Sequence, residues 1–387
     1  MTANAVGNGS FDSSTNAVQL VSTQRGRKIY RVRGQNFEVD DSYTLTSVIG
    51  HGAYGVVCAA LDDRNFQEVA IKRVSRVFED LIDGRRIWRE IFLLRILKEC
   101  GCRNILRLIR VMAPRDPIME FRDLYLVTDL YDTDLFSIIR QNKCESMELL
   151  RRISARVLRC LADMHSMGMV HRDIKPSNIL LRDEKDTGEA IVCDFGLARA
   201  GLHKLCEPLD LTDYVVTRWY RPPELLLMCP YSYPVDIWAV GCVMAEYAMQ
   251  RPLFAGRDYI HQLQFVLSSV PVTGVDFIQR SSSTSGLANV NEMAKKYKGT
   301  RPLPQLLSKL PKDGLDLVIK MLAFEPEKRI TAREALEHPF FDSVGGPDCK
   351  DYPAPPELDL AFDMHAEVSE CQLRRAIWDE AEFYRRK

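Results

Sequence analysis

Three glycines restrict what this chain can fold into more than any other feature. They stand in IGHGAYGVV, residues 49–57, as Gly50-x-Gly52-x-x-Gly55. The same spacing occurs in dinucleotide-binding crossovers, where the loop runs straight into a helix. Here Val56, Val57 and Cys58 follow, then a polar turn at Asp62–Asn65 and the run EVAIKRV. Two β-branched runs about one hairpin apart predict strand, glycine loop, strand. In such a flap bare backbone amides can approach phosphates, because no side chain intervenes.

Composition sets the outer limits. A chain of 387 residues is long for one hydrophobic core, so two lobes are expected. The hydrophobic fraction of 46% is ordinary, and a formal net charge of −1 speaks against nucleic acid or a membrane surface as partner. Any anion site must be local. Eleven cysteines lie without paired spacing and no apolar leader opens the sequence. Reduced thiols in a cytoplasmic protein are expected, with the nucleus as a second compartment. No apolar run approaches the length that spans a bilayer.

The ends and loops differ in composition. Residues 1–26, rich in Asn, Ser, Thr and Gly, are expected to form a disordered tail. QRSSSTSG at 279–286 reads as a flexible loop, and GGPDCKDYPAPPE at 345–357 as a Pro-rich connector. Beyond it, Leu373, Ile377, Trp378 and Phe383 recur at helical spacing, which predicts a terminal helix docked on the fold.

VAIK at 69–72 follows the glycine loop at the spacing a nucleotide site requires. Lys72 can pair with phosphates but needs an acid to hold it. In RRIWREIFLLRIL (85–97), Ile87, Ile91 and Leu94 form one helical stripe that Glu90 borders. Glu90 is assigned as the partner of Lys72, against the plainer reading of an exposed helix glutamate.

HRDIKPSN (171–178) and CDFG (193–196) then occur in order. Phosphoryl transfer needs alignment and charge neutralisation more than covalent chemistry. Asp173 can accept a hydroxyl proton, and Lys175 can reach a terminal phosphate. Asn178 and Asp194 offer the hard oxygen ligands that Mg²⁺ prefers. Each piece is common alone, but the ordered set is not.

From about residue 31 onwards the chain resembles a mitogen-activated protein kinase. The resemblance rests on VRGQNF (32–37), GHGAYG (50–55), VTDLYDTDL (127–135), HRDIKPSN, CDFGLAR, VVTRWYRPPE and DIWAVGC (236–242). It implies an α+β, bilobal protein kinase fold. The small β-rich N-lobe would span 43–130 and the larger helical C-lobe 131–341, with a hinge near Asp129–Tyr131. An N-terminal hairpin extension at 27–42 and a C-terminal docking extension at 342–387 are also implied. ATP and Mg²⁺ are the implied cofactors. By resemblance, Ile49, Gly50, Gly52, Gly55, Val57, Ala70, Lys72, Thr128, Asp129, Tyr131 and Leu180 line the ATP site, with Thr128 as gatekeeper.

The stretch LTDYVVTRWYRPPE (211–224) sets Thr212 and Tyr214 either side of an acid. The Thr-Asp-Tyr signature resembles protozoan members of the family and implies a switch thrown by dual phosphorylation. Phospho-Thr212 would gather Arg89, Arg172 and Arg199, and phospho-Tyr214 would meet Arg218 and Arg221. Family members act on Ser or Thr followed by Pro. Asp236 is expected to tie down the catalytic-loop backbone, and Glu224 to pair with Arg329. The implied partners are protein substrates, an upstream dual-specificity kinase engaged through docking peptides, and phosphatases. Asp348 and Asp351 match the family's acidic docking patch, and a monomer is expected. His51 in the flap and the long polar turn at 182–190 depart from the family pattern, and 257–300 carries no readable motif. Two rival readings are a pseudokinase scaffold and a kinase switched by a cyclin-like partner. The first would lack a catalytic residue and the second the Thr-x-Tyr pair.

Overall fold

The computed structural model describes residues 18–24, 26–52, 55–112, 121–144, 146–182, 189–200, 217–273, 284–344 and 368–386. The chain divides into two compact units. One comprises Met1–Phe92, Arg107–Leu130 and His365–Lys387, the other Leu93–Leu106 and Tyr131–Met364. Among the described residues no helix is long and apolar enough to cross a membrane.

The first unit is built on two antiparallel sheets. Strands β1 (Val18–Gln24), β2 (Arg27–Val32) and β3 (Gln35–Asp40) form the smaller one. Strands β4 (Tyr43–Gly52), β5 (Gly55–Asp62), β6 (Gln67–Val74), β7 (Leu108–Met112) and β8 (Leu124–Asp129) form the larger, in the order β4-β5-β6-β8-β7. Helix α1 (Leu81–Glu99) links β6 to β7. Side chains alternate across a strand, so Cys58, Val69, Ile71, Tyr125 and Val127 share one face of the large sheet. There they join a buried cluster with Tyr30, Val32, Phe37 and Val39 of the small sheet. Phe37 meets Tyr125 edge-on at 5.2 Å, and the Tyr125 hydroxyl accepts the Glu38 N–H at 3.1 Å. The small sheet thus covers one face of the large one. The register places Val57, Ala70, Lys72 and Thr128 together on the other.

Two expectations are corrected in this unit. Val18–Gln24, assigned to a disordered tail, is a strand paired with Arg27–Val32. Its polar residues masked the signal, but Val18 packs against the buried cluster of the two sheets. Leu93–Leu106, expected in the smaller lobe, belongs to the second unit. The Leu106 N–H donates to the Val192 carbonyl at 2.9 Å, and Asn104 Nδ2 to that of Ala190 at 3.3 Å.

The terminal helix lies where its apolar spacing predicts. It is the last helix of the chain, α11 (Glu370–Arg386), and Leu373 and Ile377 are fully buried. Arg374 lays its guanidinium 3.9 Å from the Phe78 ring centroid and donates to the Phe121 carbonyl. A Cβ on Gly84 would stand 2.7 Å from Leu373 Cδ2 and 2.8 Å from the Val77 carbonyl oxygen, and the backbone contact is the one that demands glycine.

The second unit is mostly helical. A short strand β9 (Thr133–Asp134) precedes α2 (Leu135–Arg140), whose first turn Asp134 caps by accepting the Ser137 N–H. Helix α3 (Met147–Ser166) is capped by Ser146 in the same way. A hairpin of β10 (Ile179–Arg182) and β11 (Glu189–Val192) pairs with β9. Helices α4 (Pro223–Leu226), α5 (Pro234–Met249), α6 (Tyr259–Ser269), α7 (Thr284–Tyr297), α8 (Leu303–Leu306), α9 (Lys312–Met321) and α10 (Ala332–Leu336) follow. Apolar on nearly every side, α5 is buried along almost its whole length. The loop expected over 279–286 is corrected at its end, because α7 begins at Thr284. Ser and Thr suit helix starts as well as loops, so composition could not separate the two.

Candidate active site

Each unit contributes its own cluster of the motif residues. In the first, the glycine flap joins β4 to β5, with Gly52 opposite Gly55. Gly55 has φ +129°, and a Cβ there would lie 1.8 Å from the Arg73 carbonyl oxygen. The protein's own backbone therefore demands glycine at 55. Gly50 differs: a Cβ would meet only Val57, at 3.7 Å, an ordinary contact. Packing does not require glycine at 50.

Register and helix phase then explain the lysine. Lys72 lies directly across β5–β6 from Val57, on the face that the small sheet leaves uncovered. Ile87, Ile91 and Leu94 are buried as the stripe predicts, which fixes the rotation of α1 and buries Glu90 at its border. Glu90 Oε2 receives Lys72 Nζ at 3.0 Å, and Oε1 receives it at 3.3 Å. On the same face Ala70 is buried and Val57 and Thr128 are half-buried, while Ile49 of β4 is exposed. Thr128 Oγ1 donates to the Asp129 carbonyl at 3.2 Å. The Asp129 carboxylate is held by Arg107 in a two-point fork at 2.5 and 2.8 Å, which no motif announced.

In the second unit a buried carboxylate organises the catalytic-loop motif. Asp236, in the first turn of α5, accepts the N–H groups of His171 at 2.9 Å and Arg172 at 2.7 Å. His165 Nε2 donates to it as well, at 2.9 Å. Burial alone would raise the Asp236 carboxyl, but the His165 hydrogen bond and the charges around it hold it below the usual carboxylate range. These bonds support strain. Arg172 has φ +67° and Asp194 φ +64°, a region that side chains of this size occupy at a cost of about 1–3 kcal/mol each. Arg172 is further fixed by Nε to the Leu197 carbonyl at 2.7 Å and Nη1 to the Tyr231 hydroxyl at 2.9 Å. His171 Nδ1 accepts the Asp173 N–H at 3.2 Å, so its proton sits on Nε2, 3.2 Å from the Cys193 carbonyl.

Asp173 is buried and gathers two donors. Lys175 Nζ lies 2.6 Å from Oδ2, and Asn178 Nδ2 donates to Oδ2 at 3.0 Å and to the Asp173 carbonyl at 2.9 Å. Burial pushes the Asp173 carboxyl up; Lys175 opposes the shift and Asp194 adds to it. The β10–β11 register sets Ile179 against Val192, and the Cys193 N–H donates to the Asn178 carbonyl at 3.0 Å. Asn178, just before β10, and Asp194, just past β11, are thereby anchored at the ends of neighbouring strands. An amide oxygen beside a carboxylate is a donor set that fits Mg²⁺, which takes its other ligands from phosphates and water. Among the described residues no group of three or more His, Cys, Asp or Glu could hold a metal by itself.

The remaining residues fall into two sets. Arg218 and Arg221 both lie over the Tyr259 ring, and Arg221 Nη1 donates to its hydroxyl. The Arg199 backbone exchanges two hydrogen bonds with Val170, at 2.8 and 2.9 Å. Arg89 is buried, Leu180 is half-buried on β10, and Tyr131 carries Arg182 over its ring. Glu224 and Arg329 pair as expected, at 2.5 and 2.6 Å. Thr212, Tyr214, Asp348 and Asp351 lie outside the described residues. The histidine of the HRD motif could have been singled out for its motif position. Tyr231 and Tyr259 carry no local signal, because their partners lie tens of residues away in sequence.

A strand-borne lysine locked to a helix glutamate in the first unit, and a buried aspartate flanked by lysine and asparagine in the second, are residue sets that phosphoryl transfer calls for. The comparisons agree. A family model described as Protein kinase domain matches residues 43–341. Mitogen-activated protein kinase MPS1 of Pyricularia oryzae is 37% identical over 374 residues, covering 94% of this chain and 86% of that protein. Mitogen-activated protein kinase 6 of Arabidopsis thaliana is 38% identical over 362 residues, covering 91% and 86%. Mitogen-activated protein kinase 1 of Oryza sativa subsp. japonica is 38% identical over 373 residues, covering 94% and 88%. The chain belongs to the mitogen-activated protein kinases, within the protein kinase family. It is a serine/threonine protein kinase with ATP as phosphoryl donor, acting in a cascade with protein substrates and an upstream kinase.

Proposed function

We propose that this kinase transfers the γ-phosphate to Ser or Thr followed by Pro, with Asp173 as the base. The observation that carries this is the placement of both donors on Asp173 Oδ2, at 2.6 and 3.0 Å. Oδ1 then remains to accept the substrate hydroxyl proton, and burial makes the carboxylate more basic than an exposed aspartate. Lys175 neutralises charge on the γ-phosphate, and Lys72, held by Glu90, neutralises the α- and β-phosphates. Asn178 and Asp194 hold Mg²⁺, which supplies further neutralisation of the phosphate oxygens. Ile49, Val57, Ala70, Thr128 and Leu180 give the adenine its apolar surfaces, and Asp129 and Tyr131 offer backbone groups. Gly50, Gly52 and Gly55 offer amides to the phosphates.

Phosphorylation of Thr212 and Tyr214 is the switch in this reading. Arg172 and Arg199, with Arg89, receive phospho-Thr212; Arg218 and Arg221 exchange Tyr259 for phospho-Tyr214. Asp348 and Asp351 recruit basic docking peptides of substrates, of the upstream dual-specificity kinase and of phosphatases. The protein acts as a monomer in the cytoplasm, with access to the nucleus. The test is Asp173→Asn in the doubly phosphorylated enzyme. ATP binding should persist while transfer to protein falls by about 10²–10⁴-fold. Near-normal turnover would remove Asp173 from the chemistry.

A further inference from the structure

An ion pair at the end of the large sheet belongs to no motif. Arg107, just before β7, holds the Asp129 carboxylate at the end of β8 through Nε and Nη2 together, at 2.8 and 2.5 Å. The Asp129 N–H also donates to the Arg107 carbonyl at 3.3 Å, so side chains and backbone close one ring. Both residues stand near the ends of the stretch Arg107–Leu130 that the chain adds to the first unit. The β7–β8 ladder beside them is interrupted, its register shifting between Leu108 and Arg110. The fork therefore joins the two strands where their pairing is locally incomplete. Exposed ion pairs usually contribute little, but two-point arginine pairs are the exception, and the Asp129 side chain is only 16% exposed.

Side chains alternate along β8. Thr128 lies opposite Ala70, on the face that carries Lys72, so the Asp129 carboxylate and the guanidinium on it take the other face. Arg107 can act on the Lys72 face only through the Asp129 backbone. The Asp129 carbonyl accepts the Thr128 hydroxyl at 3.2 Å and, with two lone pairs, has room for a second donor. We propose that Arg107 is a positioning residue for base selection: its fork fixes the Asp129 peptide so that this carbonyl takes the 6-amino group of adenine. The inference rests on the proposed use of Asp129 backbone groups by the nucleotide. A fixed acceptor rewards a base that brings an amino group and leaves a base without one facing a desolvated carbonyl. Lysine in place of Arg107 would supply the charge but not the planar fork.

The test compares ATP with purine riboside triphosphate, which lacks the 6-amino group, in the doubly phosphorylated full chain. Wild type should prefer ATP by about three- to tenfold in kcat/KM, the range of one hydrogen bond. Arg107→Ala should narrow that preference to less than about twofold, through a higher KM for ATP. Arg107→Lys should behave like Arg107→Ala, since it keeps the charge without the fork. Asp129→Ala should match them, and the double variant Arg107→Ala with Asp129→Ala should go no further, as for two groups that act as one. A wild type that uses both nucleotides equally well removes the Asp129 carbonyl as acceptor, and with it the reading on which the proposal rests. A wild-type preference retained in Arg107→Ala overturns the proposal and leaves that reading standing. An equal loss with both nucleotides in Arg107→Ala would mark the fork as scaffold, and full recovery in Arg107→Lys would assign the effect to charge; either result also overturns the proposal.

Discussion

Two glutamates in this molecule each hold a cation, in opposite settings. Glu224 takes both arms of Arg329, and the two side chains are 1% and 0% exposed. The other three donors of Arg329 reach the carbonyls of Ala323, Pro234 and Phe324. All five hydrogens of the guanidinium are thus satisfied inside one unit. Glu90 instead holds the ammonium of Lys72, whose side chain is 27% exposed. The pair stands on the sheet face that the small sheet does not cover. One cation is fixed by its surroundings, and the other can turn from its glutamate to a phosphate. Both are glutamate–cation pairs, and packing separates the one enclosed as scaffold from the one left open to the proposed chemistry.

Breaking the pairs one at a time tests that distinction. Lys72→Met should lower transfer by about 10²–10³-fold, the usual result of deleting one group that stabilises transition-state charge. Its cost in stability should be about 1–3 kcal/mol, since Glu90 is buried although Lys72 is partly exposed. Arg329→Leu leaves Glu224 buried and uncompensated, and should cost about 3–5 kcal/mol in urea unfolding. Adding Glu224→Leu should recover much of that loss, because a buried pair repays little beyond its own desolvation. If Lys72→Met unfolds the protein as readily as Arg329→Leu does, the two pairs have the same role.

The glycine flap repeats the comparison within one loop. Gly55→Ala drives a Cβ into the Arg73 carbonyl from a positive φ, and strain of about 1–3 kcal/mol should appear in thermal unfolding. Gly50→Ala meets only Val57 at ordinary distance, so stability should change by less than about 0.5 kcal/mol. Its effect should be on KM for ATP, which rises as the methyl keeps the β- and γ-phosphates from the backbone. A large loss of stability in Gly50→Ala would mean that the fold, not the nucleotide, requires that glycine.

Both contrasts show what a sequence makes legible. Lys72, Glu90, Asp173 and Asn178 could be placed because each is read from local order: a strand, a helix stripe, a motif at fixed spacing. The Glu224–Arg329 pair could be named, but not its three carbonyl partners, since those depend on how α5 and the segment around Phe324 meet. The strand at Val18–Gln24 was hidden because its residues are mostly polar and its partner strand, not its own composition, holds it. Arg107 on Asp129 and Tyr259 under Arg218 and Arg221 leave no trace at all. They are contacts of long side chains whose spacing follows no period.

The smallest effect concerns two aspartates of the catalytic region that burial treats oppositely. Asp236 is held low by its hydrogen bonds, whereas burial outweighs Lys175 at Asp173 and pushes its carboxyl up. The consequences for pH have opposite signs. A depressed carboxyl stabilises the fold above its unfolded pKa, near about 3.9, and that stability is lost as pH falls through the folded value. A raised carboxyl holds its proton more tightly when folded, so its share of stability is present below the unfolded pKa and lost as pH rises through the folded value. Carboxyl ¹³C titration of the nucleotide-free chain should therefore place Asp173 above ordinary aspartate and Asp236 below it. Lys175→Met should move the Asp173 midpoint further up, since the ammonium is what holds it down, and should leave Asp236 where it was. A downward move of Asp173 in that variant would show that Lys175 acts on it mainly by excluding water, and its 2.6 Å contact would no longer be what restrains the basicity of the site.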